Sequence, residues 1–229
     1  MLAIEEWAAE RLGYRFRDPA LLDAALTHRS AATANYERLE FLGDAVLNFA
    51  VADLVFRAFP EAPEGDLSRY RSALVSGRFL AEAAVRLGLG DQLRLGSGEL
   101  KSGGFRRSSI LADALEAVFG AIFLDGGIEP ARTVIEGLMS GQLERLPEAA
   151  ALKDSKTRLQ EILQARGLAL PVYSVDDVTG EPHEQWFVAS CAVAELGLRT
   201  AGEGSSRRRA EQAAAGLMLE RIVADEDLR

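Results

Sequence analysis

The sequence predicts two domains: an all-α domain followed by a small α+β domain with the order α-β-β-β-α. The chain has 229 residues, of which 48% are hydrophobic, so it can supply one large core or two modest ones. Apolar residues recur at three- and four-residue intervals up to about residue 145, and alternating strand-like runs appear after a lapse at 146–151. We therefore expect domains at 1–147 and 152–225.

The first domain shows helical periodicity and no clear strand pattern. Prolines mark several helix starts or breaks. The segment 95–107 contains four glycines and is predicted to be a loop. The predicted helices are 3–12, 19–26, 34–58, 66–87, 108–124 and 128–142.

The second domain is predicted to begin and end with a helix. Cys191 takes an inward-facing position in the middle strand and is interpreted as a small core residue rather than a reactive thiol. The predicted elements are a helix at 154–166, strands at 171–178, 185–194 and 198–202, and a helix at 205–223. Apolar stripes are formed by Leu159, Ile162 and Leu163 on the first helix, and by Ala210, Ala213, Ala214, Leu217 and Met218 on the last.

The composition excludes several classes of protein and of metal site. The chain has one cysteine and two histidines far apart, His28 and His183. This composition excludes a disulfide framework and a zinc site of the Cys/His type. No segment approaches the roughly 18 apolar residues of a membrane span, and the first residues lack a signal peptide pattern. We expect a cytoplasmic protein with no membrane partner. A metal site would use oxygen ligands, which suit Mg²⁺ or Mn²⁺.

The net charge of −9 at first argues against a nucleic-acid partner, because Lys and Arg drive phosphate binding. If the chain binds nucleic acid, the phosphates must therefore be bound by a local cluster of basic residues. The sharpest cluster is Arg207, Arg208 and Arg209, at a predicted helix start where main-chain N–H groups and the helix dipole favour anions. We interpret Arg207 and Arg208 as phosphate ligands. The alternative is a solvated helix end.

Two predicted helices each carry a short acidic face. At about 100° per residue, Glu37, Glu40 and Asp44 fall within about 60° of one another on the first helix. Asp113 and Glu116 lie one turn apart on the second. Either face alone is better explained as a solvated surface. If the two faces converge, their carboxylates repel one another unless a cation neutralises them, and a divalent ion is the natural partner.

Two neighbouring residues argue against a merely solvated acidic surface. Phe41 projects close to the first face, where a large aromatic side chain indicates a covering partner surface. Gly120 lies on the acidic side of the second helix, where the missing side chain allows another backbone to approach closely.

A longer motif surrounds the first acidic face. Residues 37–47 read ERLEFLGDAVL and closely resemble the signature helix of bacterial ribonuclease III. Further blocks that look like those of this family follow in the expected order: PEGDLS at 63–68, GELKSGG at 98–104 and ILADALEA at 110–117. The resemblance covers nearly the whole chain. It implies an all-α ribonuclease III endonuclease domain followed by a double-stranded RNA-binding domain.

The resemblance also implies roles for the acidic residues, a cofactor and a partner. Asp44 and Glu116 match the residues most closely tied to hydrolysis, and Glu37 and Glu64 match additional acids of the cleavage site. The cofactor is Mg²⁺, with Mn²⁺ as a substitute, and the partner is a second copy of the chain in a homodimer whose interface includes Phe41. The family's metal-binding carboxylates match Glu40, Asp44, Asp113 and Glu116.

Residues 152–224 resemble a double-stranded RNA-binding domain, a module that reads the A-form shape of the duplex with little sequence preference. The resemblance implies minor-groove contacts from Thr157, Gln160, Glu161 and His183, and phosphate contacts from Arg207 and Arg208. Glu211 stands where stand-alone modules often carry a lysine, and Ser108 stands where relatives of the nuclease domain often carry an acid.

The leading hypothesis is a metal-dependent endoribonuclease that cuts double-stranded RNA. The resemblance implies 5′-phosphate and 3′-hydroxyl ends, short 3′ overhangs, and ribosomal RNA precursors among the substrates. One alternative is a non-catalytic duplex-RNA-binding protein that keeps the nuclease fold as a dimerisation scaffold. Another is a purely structural helical domain in a larger particle.

Overall fold

The computed structural model describes residues 4–149, 151–181 and 184–226, with the backbone alone for 223–226. The chain forms two compact units, Met1–Leu152 and Lys153–Arg229. The first is helical, and the second combines two helices with a three-stranded antiparallel sheet. The predicted fold class, all-α followed by α+β, is confirmed.

The first unit is built from helices joined by short turns. Asp18 caps the second helix, because its side chain accepts a hydrogen bond of 3.0 Å from the Ala20 N–H and Pro19 takes the first helical position. The helices are α1 (Ile4–Trp7), α2 (Pro19–Ala25), α3 (Glu37–Ala58), α4 (Glu64–Leu74), α5 (Gly77–Leu87), α6 (Ser97–Lys101), α7 (Ser108–Gly126) and α8 (Ile128–Leu143). A π-helical turn at Ala8–Leu12 continues α1, and 3₁₀ turns cover Leu89–Gln92 and Gly104–Arg106.

Helix α7 is the centre of the first unit and packs against α2, α3, α5 and α8. From Ile110 to Ile122 every residue of α7 is buried except Asp113 and Glu116, which are half-buried. This stretch of the helix is therefore covered on nearly all sides by the core and leaves two acids at one edge. No helix within the described ranges is long and apolar enough to cross a membrane.

Two sequence predictions for the first unit are wrong. The single helix predicted at 66–87 is two helices, because Ser76 takes an extended conformation and its side chain accepts a hydrogen bond from the Phe79 N–H at 3.4 Å, which starts α5. The loop predicted at 95–107 contains α6 and a 3₁₀ turn, separated by Gly103 with a φ of 76°. Gly96 and Gly103 directly precede the two helical turns, whereas Gly98 and Gly104 lie within them.

The second unit has the predicted order α-β-β-β-α. Its elements are α9 (Ser155–Ala165), β1 (Val172–Thr179), β2 (Trp186–Val193), β3 (Leu198–Gly204) and α10 (Arg207–Glu226). The strands lie in the order β1-β2-β3 with antiparallel pairing, and the register between β1 and β2 shifts between Val175 and Asp177. A short 3₁₀ turn at Ala194–Leu196 joins β2 to β3.

The core of the second unit lies between the sheet and its two helices. Cys191 is fully buried there, as predicted, with Leu159 and Leu163 of α9. The stripe predicted for α10 is partly wrong, because Ala213 and Leu217 are exposed. The buried residues of α10 are Ala210, Glu211, Ala214, Ala215, Met218, Leu219 and Ile222. The buried stripe of α10 therefore lies about one residue farther along the chain than predicted. The reason is that α10 packs on β3 and β2 and also on α9.

Candidate active site

Helices α3 and α7 cross at two glycines. A β-carbon added at Gly43 would overlap the main-chain carbonyl oxygen of Glu116, and one added at Gly120 would overlap that of Leu39. Any larger side chain at either position would push the helices apart. The backbone that approaches Gly120 is that of α3, so the close approach expected from the sequence occurs between the two helices that carry the acidic faces.

This crossing brings three carboxylates together. Glu40, Asp113 and Glu116 each place one carboxylate oxygen within 4.8 Å of the others, and all three side chains are half-buried. Among the described residues, this is the one group of His, Cys, Asp and Glu side chains with spacing suited to a metal ion. Three oxygen ligands at this separation suit a hard divalent cation.

The carboxylates raise one another's pKa values. Burial, together with the nearby charges of Asp44, Asp113 and Glu40, raises the pKa of Glu116 from 4.5 to about 7. Burial and the charge of the neighbouring Asp113 also raise the pKa of Glu40, and burial raises that of Asp113. Full ionisation of the cluster is therefore unfavourable in the chain alone, and a bound cation would reverse that effect.

The other three acids predicted from the sequence lie outside this cluster. Asp44 is exposed, and its Oδ1 accepts a hydrogen bond of 2.9 Å from Asn48 Nδ2. Its charge nevertheless acts on Glu116. Glu37 is exposed, with an oxygen 3.4 Å from Arg29 Nη1. The carboxylate of Glu64, at the start of α4, accepts a hydrogen bond of 2.7 Å from the Ser68 hydroxyl.

A pocket of about 500 Å³ opens beside the cluster. Tyr36 is buried in its wall, and burial raises the pKa of its phenol, so the hydroxyl stays neutral. Besides Tyr36, the polar residues that line the pocket are His28, Arg29, Ser30, Glu37, Glu40, Glu99, Arg107, Ser109 and Asp113. The pocket therefore presents both carboxylates and guanidinium groups, the combination needed by a site that binds a cation and a phosphate together.

The basic side of the pocket was not predicted from the sequence. Arg107 reaches Glu99 at 3.1 Å, whereas Arg29 lies 3.4 Å from Glu37, and its charge offsets part of the rise that burial causes in the pKa of Asp113. His28 Nδ1 lies 2.7 Å from the Ser30 hydroxyl, which also accepts a hydrogen bond of 2.9 Å from the Gly96 N–H. These residues lie in turns with no periodic pattern, so spacing along the chain gave no signal for them.

Comparison with known proteins agrees with this arrangement. A model of the family described as ribonuclease-III-like matches residues 18–142, more than half of the chain, and a model of the double-stranded RNA binding motif matches 155–222. The chain belongs to the ribonuclease III family. The resemblance carried by the sequence motifs is thereby confirmed.

Individual members of the ribonuclease III family are similar along most of the chain. Ribonuclease 3 of Vibrio cholerae is 53% identical over 213 residues, covering 93% of this chain and 95% of the relative. Ribonuclease 3 of Alkalilimnicola ehrlichii is 55% identical and covers 93% of each. The crystal structure of the nuclease domain of ribonuclease III from Campylobacter jejuni aligns with a TM-score of 0.59 and 43% identity, over 62% of this chain and 97% of that domain.

In this member of the ribonuclease III family, the described residues that are predicted to contact RNA lie on α9 and at the start of α10. Gln160 is exposed on α9, and the Thr157 hydroxyl lies 3.0 Å from Asp154 Oδ2. Glu161, also on α9, is paired with Lys153 at 2.6 Å. At the start of α10, Arg208 is exposed and Arg207 donates to the buried Glu211 at 2.8 Å. His183 lies outside the described residues.

Proposed function

We propose that this member of the ribonuclease III family hydrolyses phosphodiester bonds of double-stranded RNA at the pocket between α3 and α7. The observation that carries the proposal is the cluster of Glu40, Asp113 and Glu116, whose carboxylate oxygens lie within 4.8 Å of one another. Such a cluster is electrostatically costly in the folded chain, and helices that cross at two glycines maintain it. A site with that cost is typical of chemistry rather than of stability.

The proposed cofactor is Mg²⁺, with Mn²⁺ as a substitute. Glu40, Asp113 and Glu116 would hold it. Asp44, on the next turn of α3, would complete the set. The bound ion would supply an activated water nucleophile and stabilise charge on the phosphate and the leaving oxygen. All four proposed ligands are carboxylates, and a set made of oxygen ligands suits these hard cations.

The protein's own acids have separate proposed roles. Asp44 and Glu116 act closest to the hydrolysed bond. Glu37 lines the pocket and helps to place substrate or water, and Glu64 contributes a further acid to the cleavage site. Arg29 and Arg107, on the basic side of the same pocket, are placed to bind the RNA phosphates.

The second unit is proposed to hold the duplex. Thr157, Gln160 and Glu161 would face one minor groove and His183 the next, while Arg207 and Arg208 would bind phosphates. On this basis the endonuclease domain spans 1–147 and the RNA-binding domain 152–225. We expect products with 5′-phosphate and 3′-hydroxyl ends and short 3′ overhangs, and precursors of ribosomal RNA among the substrates.

A homodimer is part of the same proposal. Phe41, Phe49 and Phe56 are all exposed on α3 and fall within about 80° around the helix axis. A row of three exposed phenylalanines on one face is typical of a surface that a partner covers. One Campylobacter jejuni structure of the nuclease domain is described as showing flexibility in a region involved in dimer formation in that protein. We place the enzyme in the cytoplasm, since its single buried cysteine requires no oxidising compartment.

The experiment that tests the proposal compares an RNA duplex with its separated strands. With Mg²⁺ we expect cleavage of the duplex alone, with ends that a 5′-phosphate-dependent exonuclease can degrade. A chelator should abolish cleavage and leave duplex binding intact. Binding without cleavage at any concentration of Mg²⁺ or Mn²⁺ would support the non-catalytic scaffold instead.

A further inference from the structure

Glu211 is a buried charged residue in the first turns of α10, with 7% of its surface exposed. Its Oε2 accepts a hydrogen bond of 2.6 Å from Lys156 Nζ, and its Oε1 accepts one of 2.8 Å from Arg207 Nε. Lys156 belongs to α9 and Arg207 is the first residue of α10. One carboxylate therefore joins the N-terminal ends of both helices.

The next residue, Gln212, makes a parallel connection. Its Oε1 accepts a hydrogen bond of 3.1 Å from the main-chain N–H of Lys156, and its Nε2 donates one of 2.7 Å to Asp154 Oδ1. Asp154 also caps α9, because it accepts a hydrogen bond from the Thr157 N–H at 3.1 Å. Two consecutive side chains of α10 thus fix the position of the start of α9.

The two cations held by Glu211 remain accessible. The side chain of Arg207 is 67% exposed and that of Lys156 is 32% exposed. Each uses one N–H donor on Glu211, while a lysine has three such donors and an arginine five. Lys156 Nζ also lies 4.2 Å from the ring centroid of Tyr173, a cation–π contact that further restricts its position. Both cations can therefore bind an external anion without leaving Glu211.

The charge of Glu211 is stable in this setting. Burial alone would raise its pKa, but the hydrogen bonds and charges of Lys156 and Arg207 outweigh burial and lower the pKa below its ordinary value. The carboxylate is therefore ionised at neutral pH, and without it two like charges would face each other across the helix ends.

We propose that Glu211 is a positioning residue for duplex RNA: it holds Lys156 and Arg207 at the spacing at which both bind phosphates of the RNA backbone. The inference rests on the proposed function and extends it, because it adds Lys156 to the phosphate ligands. It also makes an acidic residue strengthen the binding of a polyanion. An effect of net charge alone would be the opposite: removing a carboxylate from a chain of net charge −9 should strengthen RNA binding.

The test uses the full chain and two substitutions that each remove one negative charge from α10. Glu211→Gln removes the shared carboxylate. Glu220→Gln is the matched control, because Glu220 is exposed and lies nine residues farther along, about 180° around the helix. Dissociation constants for an RNA duplex would be measured by fluorescence anisotropy with a chelator present, over a series of salt concentrations, below the melting temperature of every variant.

We expect Glu211→Gln to weaken binding about tenfold, although it makes the protein less negative. The slope of log Kd against log salt should become shallower by the amount that corresponds to losing about one to two phosphate contacts. The reason is that Lys156 and Arg207 no longer act together. Glu220→Gln should bind as tightly as the wild type or slightly more tightly. A Glu211→Gln variant that matches Glu220→Gln, or that binds more weakly with an unchanged slope, overturns the inference. If the wild type itself fails to bind the duplex, the proposed function is what fails.

Discussion

The main chain of Glu116 occupies the space that a side chain at Gly43 would need. This contact sets the distance between α3 and α7 at the level of the carboxylate cluster. Glu40 lies one turn before Gly43, and Asp113 lies one turn before Glu116. The backbone contact therefore determines whether acids from different helices can share one cation.

Replacing Gly43 by alanine should destabilise the protein. Neither helix backbone can yield locally, so we expect Gly43→Ala to lower the free energy of unfolding by at least about 2 kcal/mol, measured by urea denaturation. Gly137→Ala is the control, because Gly137 lies within α8 with nothing near its β-carbon position. That change should stabilise the protein by about 0.5–1 kcal/mol. Equal effects of the two substitutions would contradict the close crossing.

Stability without metal should depend on pH through Glu116. Its pKa is about 7 in the folded chain against 4.5 ordinarily, so between these values the folded state binds more protons than the unfolded state. The folded state should therefore lose stability as pH rises from 4.5 to 7, by about 2–3 kcal/mol at most. In Glu116→Gln most of that loss should disappear, leaving the smaller part due to Glu40 and Asp113, whereas Glu61→Gln, at an exposed site, should retain it in full. Urea denaturation with a chelator at several pH values measures the free energy of unfolding of each variant. If the wild type and Glu116→Gln show the same dependence of this free energy on pH, the pKa of Glu116 is not raised.

Divalent ions should stabilise the wild type more than a cluster variant. A ligand that binds only the folded state adds about 3 kcal/mol at a concentration 100 times its Kd, so Mn²⁺ should raise the Tm clearly. Asp113→Asn should lose most of this shift. Glu99→Gln is the matched control, since Glu99 lines the same pocket but lies outside the three-carboxylate cluster. Equal Tm shifts in the two variants would place the ion elsewhere.

The exposed aromatic face of α3 should be the dimer interface. Phe41 is 82% exposed, and covering it with a second chain would remove a large apolar surface from water. We expect Phe41→Lys to convert a dimer to a monomer in analytical ultracentrifugation. Val85→Lys, which places the same charge at another exposed apolar residue, on α5, should leave the dimer intact. A wild-type chain that sediments as a monomer would rule out this interface.

The sequence predicted the acidic faces well because helical spacing alone determines which residues share a face. Glu40, Asp113 and Glu116 meet as the convergence hypothesis required, and Gly120 marks the point of contact. Spacing within a helix carries no information about rotation of one helix against another. The exposed position of Asp44, bound to Asn48, therefore became visible only in the structure.

The parts that the sequence did not predict depend on contacts between distant segments. The turn with His28 and Arg29 is fixed by residues near Arg94 and Gly96, through hydrogen bonds between main-chain groups and from the Gly96 N–H to Ser30. Similarly, Glu211 looked like a departure from a phosphate-binding pattern, and only its burial between Lys156 and Arg207 indicated another role. Tertiary contacts, rather than local propensity, decide the chemistry of both groups.

The most direct test of the proposed active site is cleavage of duplex RNA by Glu116→Gln and Asp44→Asn, assayed separately with Mg²⁺. Each substitution keeps the size of the side chain and removes a charge from the α3–α7 crossing. We predict that both variants bind the duplex as the wild type does, and that neither cleaves it at a measurable rate. Cleavage at the wild-type rate by either variant, with binding intact, would contradict the assignment of hydrolysis to this pocket.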